Sequence, residues 1–289
     1  MRPFEYERPN GLAEATALLA NLGPDARPLA GGTDLIIRLR DGSLRPRVVV
    51  DVKGIAELDG DIREEEGYLR IGALTTMTDI AADPRVQREY PALAESALYV
   101  GSVQIRNRAT LAGNMCNASP AADTAPALLA YGALVVATGP NGTRRFPLDE
   151  FFVRSGVTTL SSGELMVGLE MPRPMSPRGS IHLRRTRRRG HDLASVTLAC
   201  AVTPDGATRI AYGSLGPRPS LAIDDSGRLA DPSVPDAEKA DFLDRLLADA
   251  TPSPTSMRAS PEYRLAMLRV LGLRGVKSAI DRLASAQAR

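Results

Sequence analysis

The 289-residue chain is poor in the residues that carry most thiol and metal chemistry, with two cysteines, Cys116 and Cys200, and two histidines, His182 and His191. Two cysteines exclude a disulfide framework and cannot supply the thiolates of an iron–sulfur cluster within one chain. A zinc site would need all four of these scattered residues to converge. No apolar run approaches the roughly 20 residues of a membrane helix. The first residues, Met1-Arg2-Pro3-Phe4-Glu5-Tyr6-Glu7, carry acids where a signal peptide has an apolar segment, so the cytoplasm is the expected location. The signatures HExxH, GxSxG, GKS/GKT and GxGxxG are missing, which leaves metalloprotease, serine hydrolase, P-loop and Rossmann readings unsupported. Lysine is also scarce: Lys53, Lys239 and Lys277 are the only ones among 36 basic residues.

The net charge of +2 argues against a dedicated nucleic-acid protein. The densest basic patch, residues 184–189, reads Arg-Arg-Thr-Arg-Arg-Arg with no interleaved aromatic ring for base stacking. It reads as a solvated strand edge or loop, with His182 and His191 flanking it at a surface or partner contact. With 43% hydrophobic and 24% charged residues, the chain is an ordinary globular mixture.

Periodicity divides it further. Leu12, Ala15, Leu18, Leu19 and Leu22 form one helical stripe, stopped by Gly23-Pro24. A short strand at 27–30, a helix at 34–39 and a buried β-branched strand at 47–52 follow. Residues 61–71 read as a hairpin turning at Glu65-Glu66-Gly67, and 75–99 as helical stretches broken near Asp83-Pro84 and at Pro91. Residues 110–123 show neither helical nor strand period. Strands are expected at 134–138 and 165–171. The turn-rich stretch Pro172-Arg173-Pro174-Met175-Ser176-Pro177 separates two α+β domains, residues 1–174 and 175–289. The second has strands at 180–185, 193–203 and 208–215. Its helices lie at 235–249 and at 261–286, the latter with Ser260 as N-cap and Pro261 in the first turn.

Two small-residue segments stand out, Leu29-Ala30-Gly31-Gly32-Thr33-Asp34 and Thr110-Leu111-Ala112-Gly113-Asn114. Both read as strand-to-helix turns. Each is either a tight turn or a place where backbone N–H groups approach an anion, in which case a diphosphate sits between them. Asp123 is either the N-cap of the following apolar segment or a carboxylate accepting from a ribose hydroxyl.

The strings Ala30-Gly31-Gly32-Thr33-Asp34-Leu35, Gln104-Ile105-Arg106-Asn107, Thr110-Leu111-Ala112-Gly113-Asn114 and Asn117-Ala118-Ser119-Pro120-Ala121-Ala122-Asp123 occur in that order. Asp51, Glu57-Leu58, Ile71-Gly72-Ala73 and Asp192-Leu193-Ala194 extend the pattern over nearly the whole chain. The pattern resembles the medium, FAD-binding subunit of the molybdenum hydroxylases, the family of xanthine dehydrogenase and carbon monoxide dehydrogenase. The resemblance implies an α+β fold: a vanillyl-alcohol-oxidase-type (PCMH-type) FAD-binding domain of two subdomains, then a small α+β C-terminal domain. It implies non-covalent FAD, with the pyrophosphate between 30–34 and 110–114 and Leu29 at the edge of the first loop. By the same resemblance Asp123 holds the FAD ribose, the Met166 backbone meets the cofactor and Arg184 approaches the flavin as a cation favouring its reduced form. The second loop of the family reads Thr-Ile-Gly-Gly-Asn, whereas here Leu111-Ala112 replace Ile-Gly. Two cysteines also exclude the four-cysteine insertion of the relatives that reduce aromatic acyl-CoA thioesters.

The implied function is electron transfer. A molybdopterin-binding large subunit and a 2Fe–2S small subunit, in a dimer of heterotrimers, would deliver electrons to FAD on this chain. FAD would then pass them to NAD, oxygen or another acceptor. No catalytic acid or base and no metal ligand is assigned to this chain. The alternatives are a stand-alone FAD oxidoreductase and a nucleotide-binding module.

Overall fold

A computed structural model describes residues 1–188 and 190–288. The chain begins with β1 (Glu5–Glu7), α1 (Leu12–Leu22), β2 (Ala26–Leu29), α2 (Leu35–Asp41) and β3 (Val48–Asp51). The three strands form a parallel sheet in the order β1-β3-β2. Val48, Val49 and Val50 of the central strand are buried on both faces, as expected of a covered parallel sheet. α1 lies over this sheet along the stripe containing Ala15 and Leu19, matching its expected span.

Next come β4 (Ile62–Glu65), β5 (Tyr68–Gly72), α3 (Met77–Ala82), α4 (Pro84–Glu89), α5 (Pro91–Leu98), α6 (Val103–Arg106), α7 (Leu111–Cys116), α8 (Thr124–Ala130), β6 (Leu134–Gly139), β7 (Gly142–Pro147), β8 (Phe152–Arg154), β9 (Val157–Thr158) and β10 (Leu165–Pro172). The β4–β5 hairpin joins β10, β6 and β7 in a five-stranded antiparallel sheet, ordered β4-β5-β10-β6-β7. Asp83 accepts from the backbone N–H groups of Arg85 and Val86 and so starts α4 where the chain was expected to break. α7 is a correction, because residues 110–123 showed no period in the sequence.

The remainder is β11 (Gly179–Arg185), β12 (Val196–Val202), β13 (Thr208–Gly213), β14 (Ser220–Asp224), α9 (Asp236–Leu246) and α10 (Pro261–Gln287). Its antiparallel meander has four strands, one more than the periodicity indicated. Ser260 caps α10 by accepting from the Tyr263 N–H.

Strand alternation sends this meander in two directions. Ile181, Leu183, Leu198, Cys200, Ile210 and Tyr212 face α9 and α10. On the opposite face Ala199, Ala201 and Ala211 belong to the core of the first half of the chain. There α8, buried at every position, packs on β12 and β13. The even positions of β11 turn the same way and are polar: the Ser180 hydroxyl pairs with Tyr131 at 2.5 Å, and His182 and Arg184 reach Asp123. The small Ala and Thr side chains of this face let the sheet come close enough to α8 for such long side chains to cross.

Candidate functional site

The first glycine loop leaves the end of β2 and enters α2. Gly32 has φ +75°, a conformation in which a side chain is strained. Gly31 needs the absence of a side chain for a different reason: a Cβ there would collide with the carbonyl oxygen of Arg108 and press on the Ala109 Cα. The two loops singled out in the sequence therefore abut one another. Among the described residues, the N–H groups of Ala30, Gly31, Gly32, Thr33 and Asp34 donate to no protein acceptor. Asp34 stands at the start of α2 but its side chain caps nothing. Desolvation raises its carboxyl above its ordinary value, and Arg38 offsets this in part, although Asp34 as a whole is exposed. Five consecutive open amides make a cradle for an anion.

The second loop is organised differently. It lies between two helices, α6 and α7, rather than on a strand-to-helix turn. Thr110 is the N-cap of α7, its hydroxyl accepting from the Gly113 N–H at 3.1 Å. Leu111 N–H donates to Thr75 O and Asn114 N–H to Thr110 O. Only the N–H groups of Thr110 and Ala112 lack a protein acceptor among the described residues of this loop. Ala112 lies in the first turn of the helix, where a methyl is favourable, so the departure from glycine carries no strain. The Asn114 side chain accepts from Thr124 Oγ1 at 2.7 Å, which ties α7 to the start of α8 beside Asp123.

Asp123 occupies the N-cap position of α8, yet its side chain makes no cap hydrogen bond. It turns instead to Arg184, whose Nη1 donates to Oδ2 at 2.6 Å, and His182 Nε2 lies 3.6 Å from Oδ1. Arg184 is half-buried. It also donates to Asp192 O at 2.7 Å and stacks 4.9 Å over the Tyr99 ring. Its charge is thus engaged by Asp123, and the pair fixes the direction of the carboxylate. Asp123 Oδ1 is sealed from water and has no hydrogen-bond partner, as is Nδ1 of His182. A buried carboxylate oxygen left open costs stability unless something donates to it. Met166 lies on β10, which shifts register between Met166 and Gly168 against β6, so its neighbour Val167 is left out of the ladder.

Of the basic run, Arg185, Arg187 and Arg188 are exposed at the end of β11 and in the loop after it, as expected, while Arg184 is half-buried. Arg185 donates to the Tyr263 hydroxyl, Arg187 to Asp192 and Arg188 to the His191 carbonyl. Arg189 lies outside the described residues. His182, expected at a surface or partner contact, is buried with its ring bonded to Thr197 Oγ1 at 2.9 Å. Sequence reasoning missed its place beside Asp123, and also Tyr99. The available signal was the polar alternation of Ser180, His182 and Arg184 along β11. Burial pushes the Cys200 thiol up to about 12, so this buried cysteine stays protonated and inert.

The fit to FAD rests on two of these features: the open amides of 30–34 and the sealed Asp123 Oδ1. A diphosphate and a hydroxyl donor are the groups they match.

Comparison with known proteins gives the same direction. Residues 2–174 match the family model described as "FAD binding domain in molybdopterin dehydrogenase", and residues 181–279 the "CO dehydrogenase flavoprotein C-terminal domain". The chain is 33% identical over 281 residues, 95% of each chain, to the xanthine dehydrogenase FAD-binding subunit of Escherichia coli O157:H7. It is 32% identical over 285 residues to the carbon monoxide dehydrogenase medium chain of Hydrogenophaga pseudoflava, covering 97% of this chain and 98% of that one. A chain of the reconstituted CO dehydrogenase from Oligotropha carboxidovorans superposes with a TM-score of 0.89 at 30% identity, over 97% of this chain and 99% of that one. The α+β fold, the sequence and both family models agree, and the chain belongs to the FAD-binding subunits of the molybdenum hydroxylases.

Proposed function

We propose that this chain carries one FAD between donor and acceptor sites that lie on other molecules. The observation that carries this reading is the row of open amides at Ala30–Gly31–Gly32–Thr33–Asp34 beside the sealed carboxylate of Asp123. The amides of 30–34 donate to the pyrophosphate, with Leu29 closing the strand side. Thr110 and Ala112 add their open N–H groups from the start of α7. Gly113 presents a bare helix surface, and Asn114 holds Thr124 so that Asp123 points at a ribose hydroxyl. The Met166 backbone follows the cofactor towards its ring. Arg184 acts through Asp123, holding its carboxylate in place.

Bound FAD supplies a carrier able to exchange electrons singly or in pairs. The chain's own residues bind and orient it and exclude water from the Asp123–Arg184 pair. No side chain here is assigned a proton-transfer or nucleophilic role. The names of the relatives, a medium chain of carbon monoxide dehydrogenase and an FAD-binding subunit of xanthine dehydrogenase, support a multi-subunit setting. In that setting residues 1–174 form the FAD-binding domain and residues 175–289 the C-terminal domain. Electrons arrive from the 2Fe–2S clusters of a small subunit, which takes them from a molybdopterin-binding large subunit, the whole a dimer of heterotrimers. They leave to NAD, oxygen or another acceptor. No helix of the described residues is long and apolar enough to cross a membrane, and the proposed compartment is the cytoplasm.

The test uses the full chain expressed alone. It should release about one FAD per chain, bleach with dithionite, and reoxidise with an acceptor, yet show no turnover with organic substrates. Release of another nucleotide, or of none after reconstitution with excess FAD, contradicts the cofactor assignment. Turnover at ordinary enzyme rates, about 1–1000 per second, replaces the electron-carrier reading with a stand-alone oxidoreductase.

A further inference from the structure

Arg264 lies in the second turn of α10 and is 3% exposed. No carboxylate pairs with it among the described residues. A buried cation near the positive end of a helix is unfavourable on both counts. Burial lowers its pKa, and nearby Arg258 adds to the effect. Its partners are a main-chain oxygen and a hydroxyl: Nη1 donates to Ser214 O at 2.6 Å and Nη2 to the Ser256 hydroxyl, while Nε is buried without a partner.

Ser214 is itself constrained. Its φ is +68°, a left-handed conformation that a serine adopts only when its surroundings impose it. Its N–H donates to Pro120 O at 2.7 Å, and its hydroxyl to Ala194 O at 2.9 Å. The preceding residue, Gly213, leaves room for the same carbonyl: a Cβ there would sit 2.6 Å from Pro120 O. Pro120 belongs to the turn that ends at Asp123. Ala194 lies two residues past Asp192, whose carbonyl accepts from Arg184. One strained serine therefore touches both segments that hold the Asp123–Arg184 pair, and one buried arginine fixes that serine.

We propose that Arg264 is a positioning residue for the cofactor, setting the place of the Pro120 turn through Ser214 and thereby the aim of Asp123. The proposal rests on the reading that Asp123 faces FAD. It explains why a buried arginine without a carboxylate sits at this point of α10, far along the chain from either glycine loop.

The experiment measures FAD affinity of the full chain, freed of flavin and retitrated, by flavin fluorescence. The thermal midpoint of each flavin-free variant confirms that it is folded at the titration temperature. Arg264→Met and Gly213→Ala should each raise the Kd about 2- to 30-fold, the range of residues that act on a site through a neighbour. Arg264→Lys, keeping one donor, should recover part of the loss. The decisive readout is coupling. If Arg264 acts through Asp123, then Arg264→Met added to Asp123→Asn should cause no further loss, whereas a general loosening of the fold would add to it. Additive losses, or an unchanged Kd in folded Arg264→Met and Gly213→Ala, overturn the proposal. If Asp123→Asn weakens FAD and the Arg264 series does not, the strut alone fails. If Asp123→Asn leaves the Kd unchanged, the placement of Asp123 at the cofactor fails and takes the strut with it.

Discussion

The two glycine loops look equivalent in sequence, and the fold treats them in opposite ways. At 110–114 the protein satisfies most of its own backbone: Thr110 caps Gly113, and Leu111 and Asn114 find carbonyls. At 30–34 it satisfies none of the five N–H groups among the described residues. Backbone donors left open near a protein interior are rare unless a ligand or water takes them. On the proposed reading, the first loop is the one that meets the cofactor. The second is built to hold the first, since Gly31 lies against the Arg108 carbonyl just before it.

The difference orders the effects of substitution. Gly32→Val should have the largest, because a β-branched residue at φ +75° forces the loop to refold. With each amide–phosphate hydrogen bond lost costing about 1.5–3 kcal/mol, flavin content of the purified chain should fall to near zero, while circular dichroism shows the rest of the fold intact. Full occupancy in that variant would make the open amides an incidental turn.

Asp123→Asn should come next. It removes the charge that Arg184 pairs with, and breaking a buried pair costs about 3–5 kcal/mol. A drop in thermal midpoint together with weaker FAD binding is expected; an unchanged midpoint would mean that the pair is wetter than its burial indicates.

Gly113→Ala should be milder. Alanine is at ease within α7, and the added Cβ meets only the Thr110 hydroxyl, at 2.8 Å. Displacing that cap should cost about 1 kcal/mol of stability and lower FAD affinity far less than Gly32→Val does. Thr110→Val sharpens the contrast further: it should lose a similar cap energy, about 1 kcal/mol, with nearly unchanged FAD affinity in titration. Equal effects of Gly32→Val and Gly113→Ala would erase the distinction between the loops.

How much of this was legible beforehand follows from which forces shape each element. α1, β3 and α10 are written in the period of their apolar residues, and they appear where that period places them. α7 is not. Its sequence, Leu-Ala-Gly-Asn-Met-Cys, carries a central glycine and little amphipathic pattern. It forms because the Thr110 cap and the Thr76–Thr110 bridge anchor its first turn from outside. β7 escaped notice for a related reason: Gly-Thr-Arg-Arg-Phe-Pro is an exposed polar edge, stabilised by Arg144 on Glu164 and Arg145 on Glu170. At the site, the glycine strings and Asp123 could be read as motifs. The partners that give them meaning could not. His182, Tyr99 and the Ser214–Arg264 strut come from segments far apart in the chain, and only the packing of the meander on α8 brings them together.

The claim that the first loop is an open cradle is tested most directly by amide hydrogen exchange on the full chain, without flavin and after reloading with FAD. Without flavin, the N–H groups of 30–34 should exchange fast while those of Leu111, Gly113 and Asn114 are slowed by their protein partners. FAD should slow the 30–34 amides strongly and change those at Leu111, Gly113 and Asn114 little. Amides at 30–34 that are already slow without flavin, or that remain fast once FAD is bound, would contradict it.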